Sequence, residues 1–174
     1  MSETRKIRNW PRIVVGIFLV FLLMIVLRVW LAPEILVPTK TPIRFDDFRF
    51  EVIGAREAAL GSGESRSPYR IVSLQVHNEA KRVTYQFDPR IAILVDDAGR
   101  EYGVSAQGQT ALDLERRTPN PLAAPLPPGV SGTTELAFAL PETAKNPRLK
   151  ISHGGPILDV VDDLIGGRRR LLLR

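Results

Sequence analysis

An uncharged apolar run near the amino terminus constrains this chain more than any other feature. Ile13 to Leu27 contains fifteen apolar or small residues, and after Arg28 the apolar character resumes as far as Ala32. A helix of about 20 residues is about 30 Å long, which matches the hydrocarbon core of a bilayer. The run has no polar face, so burial of the helix in a soluble core does not explain it. The sequence therefore predicts a transmembrane helix over residues 13–32 that contacts the lipid bilayer.

The residues that flank this run predict its anchors and its orientation. Trp10 and Trp30 are placed where tryptophan occupies the headgroup belts, and Arg12 and Arg28 are placed where a guanidinium extends to water. No A-x-A-like cleavage pattern follows, which favours an uncleaved signal anchor. Residues 1–12 contain four basic side chains and are predicted to be cytoplasmic. We therefore expect a single-pass protein of the cytoplasmic (inner) membrane, with its amino terminus inside and its domain outside.

The distribution of charge and the absence of cysteine exclude several classes of function. The formal net charge of +5 comes from the two ends of the chain, because residues 33–157 contain equal numbers of basic and acidic side chains. A basic face for nucleic acid is therefore not expected. The chain has no cysteine, which excludes disulfides, thiolate nucleophiles and thiolate metal ligands.

The region outside the membrane has the pattern of a β-protein. Three prolines within residues 33–42 predict a short, stiff stalk. Over residues 43–153, short stretches of alternating or β-branched residues are separated by turns, and no helical period is apparent. Residues 105–130 contain five prolines and are predicted to be a long crossing loop. The predicted strands are 48–52, 69–78, 83–87, 91–95, 102–104, 133–139 and 149–151.

These strands predict a mainly β fold, an antiparallel sandwich that follows one transmembrane helix. Asp96 to Gly99 is predicted to be a hairpin turn between two of the strands. The predicted core consists of Phe50, Val72, Leu74, Val76, Leu94, Leu136 and Phe138.

Residues 154–174 are predicted to form a short amphipathic helix and a basic tail. The helix covers residues 157–165, with apolar side chains on one face and aspartates mostly on the other, and Gly166 and Gly167 end it. Two interpretations of the tail stay open: it covers an open sheet edge, or it contacts a protein partner or anionic lipid. The candidate interaction tail consists of Arg168, Arg169, Arg170, Leu171, Leu172, Leu173 and Arg174.

Three runs within residues 45–152 form a recognisable pattern, namely VSLQVHN, ILVDDAGREY and PLPPGVSGTTELAFALP. With these runs, the region resembles a family of bacterial Ig-like extracytoplasmic domains of unknown function. The resemblance implies an Ig-like sandwich tethered by one transmembrane helix or a lipid, and it implies no catalytic residues. The matching positions are Asn78, Phe87, Leu94, Asp96, Gly99, Tyr102, Pro128, Gly129, Gly132, Phe138 and Pro141.

The sequence contains few candidates for catalytic or metal-ligating residues. His77 and His153 are the two histidines and would be the ligands of a metal site. Asp96 and Asp97 precede a glycine, a pattern that forms turns more often than calcium sites. No Gly-x-Ser-x-Gly motif or phosphate-binding glycine loop occurs.

The sequence therefore predicts a non-enzymatic, anchored binding or scaffold module. It has a possible protein partner in the cell envelope and no cofactor or small-molecule substrate. The alternatives are an envelope metal-binding protein or enzyme that uses His77 or His153, and an accessory subunit of a membrane complex.

Overall fold

The computed structural model describes residues 10–31, 34–61, 67–116, 124–152 and 168–173. A long amino-terminal helix is followed by two β-sheets and a second, short helix. The elements are α1 (Trp10–Leu31), β1 (Glu34–Val37), β2 (Ile43–Phe45), β3 (Phe48–Leu60), β4 (Ser67–Asn78), β5 (Ala92–Val95), β6 (Glu101–Gly103), α2 (Ala106–Glu115), β7 (Ser131–Phe138), β8 (Arg148–Ile151) and β9 (Arg168–Leu171).

The apolar side chains of helix α1 are exposed. Its described side chains are those of Trp10, residues 12–27 and Leu31, and nearly all of them are exposed. Among these described residues, no helix is both long enough and apolar enough to cross a membrane. The side chains of the predicted anchors Arg28 and Trp30 lie outside the description, whereas Trp10 is 73% exposed and Arg12 is also exposed.

Two sheets form the sandwich, which confirms the mainly β prediction. One sheet has the strand order β1-β9-β8-β5-β6 and the other has the order β2-β3-β4-β7. Neighbouring strands are antiparallel except for β1 and β9, which are parallel. The parallel pair joins the beginning and the end of the domain sequence. Strands joined by a tight hairpin have to be antiparallel, but β1 and β9 are far apart along the chain and are free of this constraint.

The core lies between the sheets and follows the period-2 alternation of the strands. All seven residues predicted as core are buried, with exposures of 0 or 1%. The residues concerned are Phe50, Val72, Leu74, Val76, Leu94, Leu136 and Phe138.

The region predicted to be a crossing loop instead contains α2, so that prediction was wrong. Ser105 caps the helix and accepts a hydrogen bond from the N–H of Gly108 at 3.1 Å. Only Gly108 and Leu112 of the helix are buried, so the segment has little helical periodicity to detect. Leu112 joins a second, smaller core on the outer face of the four-stranded sheet, with Tyr69 and Ala137 among its members.

Two predicted segments differ from the structure because tertiary contacts override their local patterns. The predicted stalk contributes β1, which pairs with β9 along its whole length. Residues 83–87 are not a strand, and only Tyr85 forms an isolated bridge, with Leu126. This segment crosses from one sheet to the other, and Phe87 inserts into the core.

Residues Arg168–Leu171 of the carboxyl-terminal tail form strand β9, which pairs with β1 and meets β8 at Leu171. Arg170, Leu171 and Leu173 are buried at 7, 0 and 9% exposure, whereas Arg169 is exposed. The tail thus covers the edge of β8, the first of the two interpretations. The predicted amphipathic helix, Gly166, Gly167 and Arg174 lie outside the described residues.

Candidate functional site

The carboxylate of Asp96 organises the turn between β5 and β6. Its side chain is 1% exposed and accepts hydrogen bonds from the N–H groups of Ala98 and Arg100, both at 2.9 Å. The Arg100 Nε, at 2.8 Å, and the Tyr102 hydroxyl, at 3.0 Å, also donate to it. Gly99 has φ of 75°, which glycine adopts without strain. The two aspartates predicted as turn formers therefore begin a turn that Asp96 holds together.

These contacts change the pKa of Asp96. Desolvation by burial acts to raise its pKa, but the hydrogen bonds from the Arg100 backbone and side chain and from the Tyr102 hydroxyl outweigh it. The pKa falls from its usual 3.8 to about 2, so this carboxylate is a permanent structural charge at neutral pH.

Asn78 performs a comparable task where β4 ends. It is fully buried, and its amide group donates to the carbonyl oxygens of Val83 at 2.8 Å and Leu126 at 2.9 Å. Its Oδ1 accepts from the N–H of Ala80 at 3.0 Å, and its backbone carbonyl accepts from the N–H of Gly129 at 2.8 Å. Asn78 thus joins three chain segments and is a folding residue.

The histidines do not form a cluster within the described part of the chain. His77 lies on the outer face of β4, with its Nδ1 at 2.8 Å from the Ser131 hydroxyl. Arg49 is its neighbour in register on β3, a position that does not favour a bound cation. Among the described residues, no group of three or more metal-ligating side chains occurs. His153 lies outside the described residues.

An ion-pair network ties both ends of the domain sequence to the five-stranded sheet. The Arg148 guanidinium contacts Glu34 and Asp97, each at 2.8 Å. Arg170 Nε lies 3.9 Å from Glu34, and the Arg170 side chain is 8% exposed. A buried arginine requires such a carboxylate, because an unpaired buried charge costs several kcal/mol. This network explains how the buried Arg170 is accommodated in a sheet.

A groove of about 590 Å³ opens beside this network. It lies where β9 ends and β8 begins, and Asp97 and Arg148 form part of its wall. Arg70 reaches it from the other sheet. The Nε atoms of Arg70 and Arg148 are buried and have no hydrogen-bond partner among the described residues. The wall of the groove also contains Leu36, Asn146, Pro147, Leu172 and Leu173.

The sheet edges next to these features differ in protection. The edge of β7 is covered by α2: Gln109 accepts from the N–H of Ala137 and donates to the carbonyl of Glu135, both at 3.2 Å. Strand β1, in contrast, has a strand neighbour on one side only in the described part of the chain. Ile35 and Leu36 on β1 are 47 and 48% exposed. An open edge beside a groove is a common peptide-binding arrangement.

Parts of this region were predicted from the sequence, but their assembly was not. The tail was singled out, and two of its residues, Leu172 and Leu173, line the groove. Arg70, Arg148 and Leu36 were missed, since each sits in an ordinary strand or stalk sequence. No local signal shows that residues so distant in sequence meet.

Comparison with known proteins supports the fold alone. No family model and no curated protein matches the chain. MPT63, a secreted protein from Mycobacterium tuberculosis, matches with a TM-score of 0.51 at 14% identity, covering 71% of this chain and 92% of its own. The yjhA protein from Bacillus subtilis matches with a TM-score of 0.51 at 14% identity, covering 79% and 98%. A conserved hypothetical protein from Bacillus anthracis matches with a TM-score of 0.50 at 14% identity, covering 68% and 91%. This chain therefore shares a β-sandwich fold with small bacterial proteins.

Proposed function

We propose that this protein is a membrane-anchored, extracytoplasmic binding module with an Ig-like sandwich and no catalytic activity. Helix α1 anchors it in the cytoplasmic membrane, and the groove binds an extended, carboxylate-bearing segment of another envelope protein. The observation that carries the proposal is the open edge of β1 beside a groove whose wall contains Arg70 and Arg148.

The anchor is supported by the apolar run and by the exposure of α1. Phe18, Val20 and Leu23 are 63, 60 and 58% exposed, which is costly in water and favourable in a hydrocarbon environment. The basic residues 1–12 favour a cytoplasmic amino terminus. The secreted neighbour MPT63 has the same fold, which is in line with a domain outside the membrane.

The groove is supported by the charge of its wall. Arg70 and Arg148 line it, and although each is already paired with a carboxylate of the fold, a ligand carboxylate would form further charge-assisted hydrogen bonds with their guanidinium groups. Leu36, Leu172 and Pro147 provide apolar contacts beside these donors. The free main-chain groups of β1 would pair with an extended segment. A peptide with an acidic and an apolar side chain fits this combination.

The anchor and orientation are tested with reporter fusions to the full chain. A phosphatase reporter fused after Arg174 is expected to be active, because phosphatase folds only outside the cytoplasm. An inactive fusion together with an active cytoplasmic reporter at the same position would reverse the orientation.

The groove is tested by site-specific cross-linking in native membranes. Since the chain has no cysteine, Leu36→Cys provides one attachment point for a photo-cross-linker. A discrete adduct is expected, and Arg70→Ala should weaken it. Leu114→Cys on α2, where the native leucine is 81% exposed, is the matched control. Equal adducts at both positions would contradict a binding site at the groove.

Metal analysis of the same protein tests the alternative function. Zinc, copper or calcium bound in a one-to-one ratio would favour a metal-binding protein that uses His77 or His153.

A further inference from the structure

Only Ala32 and Pro33 separate helix α1 from strand β1. Three peptide units connect Leu31 to Glu34, and consecutive Cα atoms are about 3.8 Å apart, so this connection spans at most about 11 Å. The predicted stalk is therefore absent as a spacer, because its residues Glu34–Val37 belong to the sheet. If α1 lies in the bilayer, the amino end of β1 lies at the bilayer surface.

The strand registers show which other strand ends lie on the same side of the sandwich as the amino end of β1. Strands β1 and β9 are parallel, so their amino ends lie side by side. Strand β8 is antiparallel to both β9 and β5, so the carboxyl end of β8 lies at the amino ends of β9 and β5. In the other sheet, the carboxyl end of β4 lies beside the amino end of β7. We call this the proximal end of the sandwich. The groove joins Arg70 to Pro147 and Leu173 at the opposite end, so the two sheets are aligned and their proximal ends coincide.

The exposed side chains at the proximal end suit a lipid headgroup layer. Lys81 and Arg82 are exposed in the loop after β4, and Arg169 is exposed on β9. Two apolar side chains accompany them, Val83 at 59% and Val130 at 43% exposure. Basic residues next to exposed apolar ones are typical of contact with anionic lipid.

The acidic side chains of this end are fewer, and most of them are paired. Glu34, at the amino end of β1, contacts Arg148. Glu79 contacts Arg44 and Arg49, and Asp88 contacts Arg90. Asp46 and Asp47 are exposed in the turn between β2 and β3. Among the described residues of the proximal end, the basic side chains are Arg44, Arg49, Lys81, Arg82, Arg90 and Arg169, and the acidic ones are Glu34, Asp46, Asp47, Glu79 and Asp88.

We infer that the proximal end rests on the bilayer, with the 81–83 loop in contact with anionic lipid headgroups and the groove directed away from the membrane. This inference rests on the proposed anchor, since α1 brings the proximal end to the surface. The lipid contact sets the orientation of the domain, and the groove is thereby presented to proteins of the envelope.

The test uses the full chain reconstituted in vesicles of phosphatidylcholine and phosphatidylglycerol. Single cysteines carry an environment-sensitive fluorophore at Val83→Cys, at Lys145→Cys beyond the opposite end, and at Val20→Cys in α1. A headgroup-linked quencher is expected to reduce emission at position 83 and not at position 145. An acyl-chain quencher is expected to reduce emission at position 20. High salt should weaken the headgroup quenching at position 83, because salt screens exposed charges, over about 8–10 Å already at physiological ionic strength.

The outcomes separate the two proposals. Without quenching at position 20, the membrane anchor and this inference both fail. Quenching at position 20 with equal emission changes at positions 83 and 145 overturns the inference and leaves the anchor standing. In the Val83→Cys protein, Lys81→Glu with Arg82→Glu should abolish headgroup quenching, whereas Lys145→Glu should not. Unchanged quenching in the double variant would also overturn the inference.

Discussion

Helix α2 packs so closely on the four-stranded sheet that one added methyl group should loosen it. A Cβ at Gly108 would lie 2.5 and 2.6 Å from two ring carbons of Tyr69 and 3.1 Å from the Cβ of Ala137. Both neighbours are buried, Tyr69 at 6% and Ala137 at 0% exposure, so neither moves away freely. We therefore predict that Gly108→Ala destabilises the protein.

Two opposing effects determine the magnitude. Alanine in a helix interior is favoured over glycine by about 1 kcal/mol. Overpacking costs about 1–3 kcal/mol, and three contacts shorter than van der Waals distance place this site near the upper limit. The expected net loss is about 2 kcal/mol, which for a domain of this size lowers the melting temperature by about 6–10 °C.

The measurement is thermal unfolding of the full chain in detergent, followed by near-ultraviolet circular dichroism. Gly54→Ala is the matched control, because nothing lies within 4 Å of a Cβ at that position. Gln107→Ala, at an exposed position of the same helix, should also leave the melting temperature nearly unchanged. A Gly108→Ala protein as stable as the wild type would refute the packing argument.

Three further predictions concern the turn, the sheet edge and the core. The lowered pKa of Asp96 means that its ionised form stabilises the fold above pH 3.8 and that this contribution is lost as the pH falls through about 2. Asp96→Asn should thus lower the melting temperature at neutral pH, and its melting temperature should depend less on pH below pH 3.8 than that of the wild type. Parallel curves of melting temperature against pH for the two proteins would contradict this. Gln109→Leu removes the side chain that covers the edge of β7, which should cost about 1–3 kcal/mol and produce concentration-dependent self-association in gel filtration. An unchanged elution volume would show that α2 protects the edge without this amide. Leu74→Ala should cost about 2–5 kcal/mol in urea unfolding, since Leu74 is fully buried, and a smaller loss would mean that the core collapses around the cavity.

The candidate site could be predicted only in fragments. The tail was recognised as unusual because three adjacent arginines beside three leucines are hard to place in a core. Glu34 makes the placement of Arg170 possible, since its carboxylate lies 3.9 Å from the Arg170 Nε. Glu34 and Arg170 are 136 residues apart along the chain, and a pattern in one segment contains no information about the other.

The sequence by itself determined the local structure wherever one period dominates. The alternation in β3, β4 and β7 set which side chains face the core, because a strand places every second residue on the same face. The Asp96 turn and the long apolar helix were likewise local consequences of their residues. Tertiary structure decided the elements with weak local patterns. Helix α2 depends on the packing of Gly108 and Leu112 against the sheet, and β1 and β9 depend on pairing with each other. Short segments of this kind do not bury enough surface alone to offset the entropy of ordering them, so their conformation follows from the contacts that the rest of the fold provides.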